Sequence, residues 1–66
     1  MRVLVNGNPV ELPDGSSVTA LLGQLSIDGA RVAIERNQDV VPRRLWAEAT
    51  LRDGDQIEIV TFVGGG

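Results

Sequence analysis

The chain has 66 residues, enough for one small domain with a thin hydrophobic core and too few for a deep catalytic cleft. Cysteine, histidine and lysine are absent, so disulfide bonds, thiolate nucleophiles, the commonest metal ligands and lysine Schiff bases are excluded. The formal net charge is −3 and the six basic side chains are scattered arginines, a distribution that argues against nucleic-acid binding.

The first predicted element is a β-hairpin. Residues 3–5 favour a strand, and Asn6-Gly7 is typical of a two-residue hairpin turn because both residues tolerate positive φ. Residues 8–12 then return as the second strand. Pro9 has no backbone N–H to donate, so this second strand is expected at an edge of the sheet.

A single amphipathic helix follows the turn at residues 13–15. Ser17 is the predicted N-cap, and the helix is expected to end near Leu25 or Ser26. Its apolar residues are spaced i, i+3, i+4 and i+7, which places them in one stripe: Val18, Leu21, Leu22 and Leu25. One stripe of this kind needs one apolar sheet face to cover it.

Three further strands and a short helical turn are predicted in the second half. Residues 31–36 form the third strand, residues 40–42 a short fourth strand, and residues 56–63 the last strand. Pro42 again favours an edge position. Residues 43–48 are expected to make one helical turn that carries Trp46 to the core.

These elements predict an α+β fold in which a mixed five-stranded sheet packs on one helix. The proline-containing strands take the edges, which leaves the first, third and last strands inside. The strand order 2-1-5-3-4, with the first and last strands parallel at the centre, satisfies every constraint and is the β-grasp, or ubiquitin-like, topology. Residues 1–63 are assigned to this domain, and residues 64–66 to a flexible glycine tail.

A specific combination of motifs fills residues 32–66. Its members are Asn37, VPR at 41–43, Trp46, Leu51, DGD at 53–55, IEIV at 57–60 and the terminal glycines. In this combination the chain resembles the ubiquitin-like sulfur carrier proteins of bacterial thiazole (thiamin) biosynthesis. The first half adds only the Asn-Gly hairpin and the Leu21-Leu22 helix to the resemblance.

The resemblance implies a carrier, not an enzyme, with no catalytic or metal-binding residue and no bound cofactor. An adenylating enzyme of the ubiquitin-activating type would use ATP and Mg²⁺ to activate the carboxylate of Gly66. A persulfide, supplied through a cysteine desulfurase or another donor, would convert it to a thiocarboxylate that gives sulfur to thiazole synthase. Gly64 and Gly65 would thread into partner active sites. The family often ends in two glycines, and this chain has three.

A docking patch is predicted beside the tail. If Ile57 and Ile59 face the helix, strand alternation puts Val60 and Phe62 on the opposite face, and Leu4 joins them from the neighbouring strand. The plainer interpretation is scattered surface apolar residues, which are normal in soluble proteins. The position just before the glycines favours docking.

Other conspicuous residues have structural explanations. Trp46 is favoured as a lid on the core over a ligand platform. Asp53 and Asp55 flank a glycine and are better explained by turn chemistry than by metal binding. Arg43 and Arg44 are equally compatible with a solvated pair and with a partner contact.

Three alternatives stay open from the sequence. One is a related sulfur carrier for molybdopterin, tRNA thiolation or cysteine synthesis. Another is a ubiquitin-like modifier conjugated to other proteins through Gly66, and the third is a binding module with an inert tail. No apolar segment has the length of a signal peptide or a membrane span, so a cytoplasmic location is expected.

Overall fold

Five strands and one α-helix form the regular structure of residues 1–63, the part of the chain that this computed structural model describes. The strands are β1 (Arg2–Val5), β2 (Asn8–Glu11), β3 (Val32–Arg36), β4 (Asp39–Val40) and β5 (Gln56–Thr61), and the helix is α1 (Val18–Gln24). Two 3-10 helical turns, Gly29–Arg31 and Arg43–Leu45, complete the connections. Within these residues, no helix is long and apolar enough to cross a membrane.

The strand order is β2-β1-β5-β3-β4, and β1 and β5 run parallel at the centre. The predicted topology is therefore confirmed, with β2 and β4 at the edges. The hairpin turn is confirmed as well, since Asn6 has φ of 50° and Gly7 has φ of 85°. Two consecutive positive φ values define the type I′ turn, whose twist matches that of the strands it joins.

The predicted helix begins where its cap indicates. The Ser17 hydroxyl accepts a hydrogen bond from the Ala20 N–H at 3.1 Å, and α1 ends at Gln24 with Leu25 as the C-cap. The core between α1 and the sheet consists of Val3, Val5, Leu12, Val18, Leu21, Leu22, Val32, Ile34, Val41, Trp46, Leu51, Ile57 and Ile59.

All five strands are shifted at an end relative to the prediction, by one residue in β1, β2 and β3 and by two residues at the ends of β4 and β5. Strand β4 covers Asp39–Val40, so Pro42 lies outside it and precedes the Arg43–Leu45 turn. Strand β5 ends at Thr61 instead of residue 63. The reason is the partner strand: Val32, the first residue of β3, lies opposite Thr61 and leaves no β3 residue for a longer pairing.

Candidate functional site

One face of the sheet carries α1, and the opposite face, here called the open face, is the candidate site. In β5 the side chains alternate between the two, with Ile57 and Ile59 buried against the core and Glu58 and Val60 exposed. This is the period-two pattern of a strand covered on one side. The side chains on the open face therefore take no part in packing the core between α1 and the sheet.

The apolar part of the open face lies at the end of β5. Val60 is 49% exposed and Phe62 is 55% exposed. Ala33 of β3 lies directly opposite Val60, and Val40 of β4 lies opposite Glu35 on the same face. Sequence reasoning missed Ala33 and Val40, because their place beside Val60 depends on cross-strand register.

Leu4 shares the open face but stands apart from that apolar part. It is half-buried and pairs with Gln56 at the beginning of β5. Val60 lies four residues further along the strand, which is roughly 13 Å at the usual rise per residue. Val60 and Phe62 thus lie two positions apart at the end of β5, whereas Leu4 lies beside its beginning, with Glu58 between them.

Two carboxylates border the apolar residues. Glu35 and Glu58 face each other across β3 and β5. Like charges directly opposite in a sheet are destabilising, so this pair lowers the stability of the fold. The ion pairs found within residues 1–63 use Asp14 and Glu11 instead. An uncompensated acidic pair beside an apolar surface suits a partner with basic groups.

A side-chain clamp holds the end of β5. The Asn6 Oδ1 atom accepts a hydrogen bond from the Ile59 N–H at 2.8 Å, and its Nδ2 group donates to the Ile59 carbonyl at 3.2 Å. The sequence identified Asn6 only as a turn residue. Its amide also takes the place of a backbone pair beyond the last residue of β1.

Arg43 and Trp46 belong to the scaffold. The Arg43 guanidinium lies 4.4 Å from the centre of the Trp46 ring and donates to the carbonyls of Gly29 and Val32. Trp46 is buried, and its Nε1 group donates to the Val41 carbonyl at 2.9 Å. Trp46 is therefore a lid on the core. Arg43 and Arg44 are both exposed, but Arg43 also makes these contacts within the chain.

The two aspartates fix the turn before β5. Asp53 accepts a hydrogen bond from the Arg2 N–H at 2.8 Å, and Asp55 accepts one from the Arg52 N–H at 2.8 Å. Asp55 is buried and also accepts from the Asn37 side chain at 3.1 Å. These contacts support the interpretation of both aspartates as turn residues.

The glycine tail lies outside the described residues. The thiocarboxylate position at Gly66 and the threading roles of Gly64 and Gly65 therefore stay predictions. Val63, the last described residue, is 91% exposed. The open-face residues Val60 and Phe62 thus come just before the predicted tail in the sequence.

Comparisons with known proteins all indicate the same family. The sequence profile of the ThiS family matches residues 3–66. The sulfur carrier protein ThiS of Escherichia coli is 38% identical over the full length of both chains. A crystal structure of the thiamine biosynthesis protein ThiS from Geobacter metallireducens superposes with a TM-score of 0.86 at 35% identity, again over both full chains.

A longer relative also matches. The thiazole synthase of Paramagnetospirillum magneticum is 42% identical over 66 residues, which is all of this chain but 20% of that protein. This chain therefore spans about a fifth of the length of that relative.

Proposed function

Since the chain belongs to the ThiS family, we propose that it is a sulfur carrier of thiamin biosynthesis and a co-substrate of other enzymes. The observation that carries the proposal is the open face at the end of β5, where exposed Val60 and Phe62 lie beside an acidic pair. That surface directly precedes the glycine tail in the sequence. It is suited to recognition, whereas the core residues of the same strand are suited to packing.

The proposed chemistry takes place at the carboxylate of Gly66. An α-carboxylate is ionised at neutral pH, so it attacks the α-phosphorus of ATP without a general base and pyrophosphate leaves. A persulfide sulfur then displaces AMP from the acyl adenylate. Reduction of the resulting acyl disulfide by a second thiol leaves the thiocarboxylate. Cysteine is absent from this chain, so both sulfur groups must come from partners.

ATP and Mg²⁺ belong to the adenylating enzyme in this proposal. The sequence contains no GxxxxGK motif and no lysine, so the usual phosphate-binding loop is missing. Gly64 and Gly65 lack a Cβ and fit a narrow channel. Three extended residues span roughly 10 Å, enough to carry the carboxylate into a partner's active site.

Thiazole synthase is the proposed acceptor of the sulfur. In Paramagnetospirillum magneticum, a segment 42% identical to this chain is part of a protein named thiazole synthase. Joining of two functions in one polypeptide supports the idea that carrier and synthase meet. A carrier that visits both an adenylating enzyme and a synthase needs one recognition surface near its tail, and the exposure of Val60 and Phe62 on the open face supports that role.

Intact-mass measurement tests the function. The purified protein is incubated with MgATP, the adenylating enzyme of the same organism, a cysteine desulfurase and cysteine. We expect a mass increase equal to replacement of one oxygen by sulfur, and no increase when Gly66 is deleted. No change in the full chain contradicts the proposal, and a covalent adduct with another protein supports a modifier instead.

A further inference from the structure

The two long edges of β5 are unequally occupied. On one edge, β3 pairs with β5 from Arg36 opposite Ile57 to Val32 opposite Thr61. On the other edge, β1 pairs only with Gln56 and Ile57. Within residues 1–63, the second half of β5 is therefore paired with β3 on one side and has no strand beside it on the β1 side.

The hydrogen-bond pattern shows which residues point to the free side. The Phe62 N–H donates to the Arg31 carbonyl at 2.8 Å, so Phe62 faces β3. The Ile57 carbonyl accepts from the Asn6 N–H at 2.9 Å, so Ile57 faces β1. Because backbone groups alternate along a strand, Ile59 and Thr61 share the orientation of Ile57.

On the β1 side, the hydrogen-bond partners of β5 end before β5 itself ends. Ile57 meets the backbone of β1, and Ile59 meets the Asn6 side chain. Thr61 has no partner on this side among residues 1–63, because the chain turns away at Asn6-Gly7. Thr61 is also exposed. One N–H and one C=O at the end of β5 are thus presented to solvent.

The usual protection of such an edge is missing. Sheet edges are commonly blocked by proline, lysine or a bulge. From Thr61 to Val63 the chain has no proline and no lysine, and Phe62 adds an exposed aromatic ring to the same segment. An unprotected edge beside an apolar side chain is a template for an added strand.

We propose that the enzyme that adenylates Gly66 adds an extended segment to the free side of β5 at Thr61. This segment pairs with Thr61 as an added strand in line with β1. This inference rests on the proposed function. Gly66 lies five positions after Thr61 in the sequence, roughly 17 Å when extended. Backbone pairing at Thr61 therefore fixes the direction in which the tail leaves the sheet. Basic groups on the same segment would meet Glu58, which lies on the open face.

A proline substitution separates the backbone donor from the side chain. Thr61→Pro removes the N–H that points to the free edge and leaves the donors that face β3 in place, and sheets tolerate proline at such a position. Thr61→Val is the matched control, since it keeps the N–H and a β-branched side chain. Affinity for the adenylating enzyme is measured by calorimetry in the presence of MgATP. We expect Thr61→Pro to weaken binding roughly three- to tenfold, as loss of one hydrogen bond predicts, and Thr61→Val to leave it unchanged. Equal affinities of the two variants overturn the proposal.

Amide hydrogen exchange on the unsubstituted protein gives a second measurement that does not depend on the variant folding. In the free protein we expect fast exchange at Thr61 and slow exchange at Phe62. On addition of the adenylating enzyme, the Thr61 amide should become protected. Fast exchange of Thr61 in the complex, or slow exchange in the free protein, contradicts the added strand.

The same samples distinguish this inference from the proposed function. Thiocarboxylate formation without protection of Thr61 leaves the carrier function intact and refutes the added strand. Protection of Thr61 without thiocarboxylate formation keeps the added strand and refutes the carrier chemistry.

Discussion

The two faces of β5 obey different constraints although they belong to one six-residue strand. On the inner face, Ile57 is 1% exposed and Ile59 is 9% exposed. On the outer face, Val60 is 49% exposed, and Phe62, which follows the strand, is 55% exposed. The inner residues are selected by the core, and the outer residues are free to serve recognition. Substitutions on the two faces should therefore separate stability from binding.

The largest effect is expected on the inner face. Ile57→Ala removes buried methylene and methyl groups from the centre of the sheet and should cost about 2–5 kcal/mol of unfolding free energy. Denaturant unfolding followed by circular dichroism measures the loss. Val60→Ala, on the outer face, is the control and should change stability by less than about 0.5 kcal/mol. Similar losses in both variants would contradict the division between the faces.

Phe62→Asp should show the opposite behaviour. An aspartate at an exposed position leaves the unfolding free energy within about 0.5 kcal/mol. Binding to the adenylating enzyme should fall by about 2 kcal/mol if Phe62 is a central contact. Calorimetric titration gives the affinity, and Phe62→Leu should retain most of it. Unchanged binding by the aspartate variant would exclude Phe62 from the docking surface.

Asn6 links the end of β1 to β5 through its side chain, so its replacement should have an intermediate effect. Asn6→Gly keeps the positive φ of the turn but removes both hydrogen bonds to Ile59. We expect a loss of about 1–2 kcal/mol in unfolding free energy. Asn8→Ala, an exposed asparagine in the same hairpin, serves as the control and should be nearly neutral. Equal effects of the two variants would show that the clamp adds no stability.

The smallest effect is expected for Glu58→Gln. Removing one of two facing carboxylates should raise the unfolding free energy by about 0.2–1 kcal/mol. The same change should slow association with a basic partner, and the difference should diminish with added salt. Stopped-flow association rates at two salt concentrations test this, with Glu48→Gln on the Arg43–Leu45 side of the molecule as the control. A salt-independent rate would argue against a basic partner at the open face.

Local patterns predicted much of the fold. Pro9 marked an edge strand, Asn6-Gly7 marked a tight hairpin, and one apolar helical stripe required one covered sheet face. Strand ends were less predictable, because the end of β5 depends on where its partner β3 begins. That position is set by packing between distant segments and leaves no local sign in residues 61–63.

The candidate site was predictable only in part. Strand alternation identified the face that carries Val60 and Phe62. The same alternation placed Leu4 on this face but contained no information about its distance from Val60 along β5. Register brings Ala33 opposite Val60, and it cannot be read from either strand alone. The internal contacts of Arg43 were equally hidden, since they join segments that are distant in sequence.

The Asn6 clamp also has a consequence for how the protein forms. Asn6 and Ile59 are separated by 53 positions in the sequence, so the central parallel pair has a high contact order and closes a long loop. During synthesis, the centre of the sheet cannot form until β5, the last strand, has been made and can pair with β1, the first strand. The segment that leads to the tail is therefore completed in the same event as the sheet centre. Unfinished chains therefore lack the ordered open face, and under the proposed function the adenylating enzyme would recognise only completed molecules.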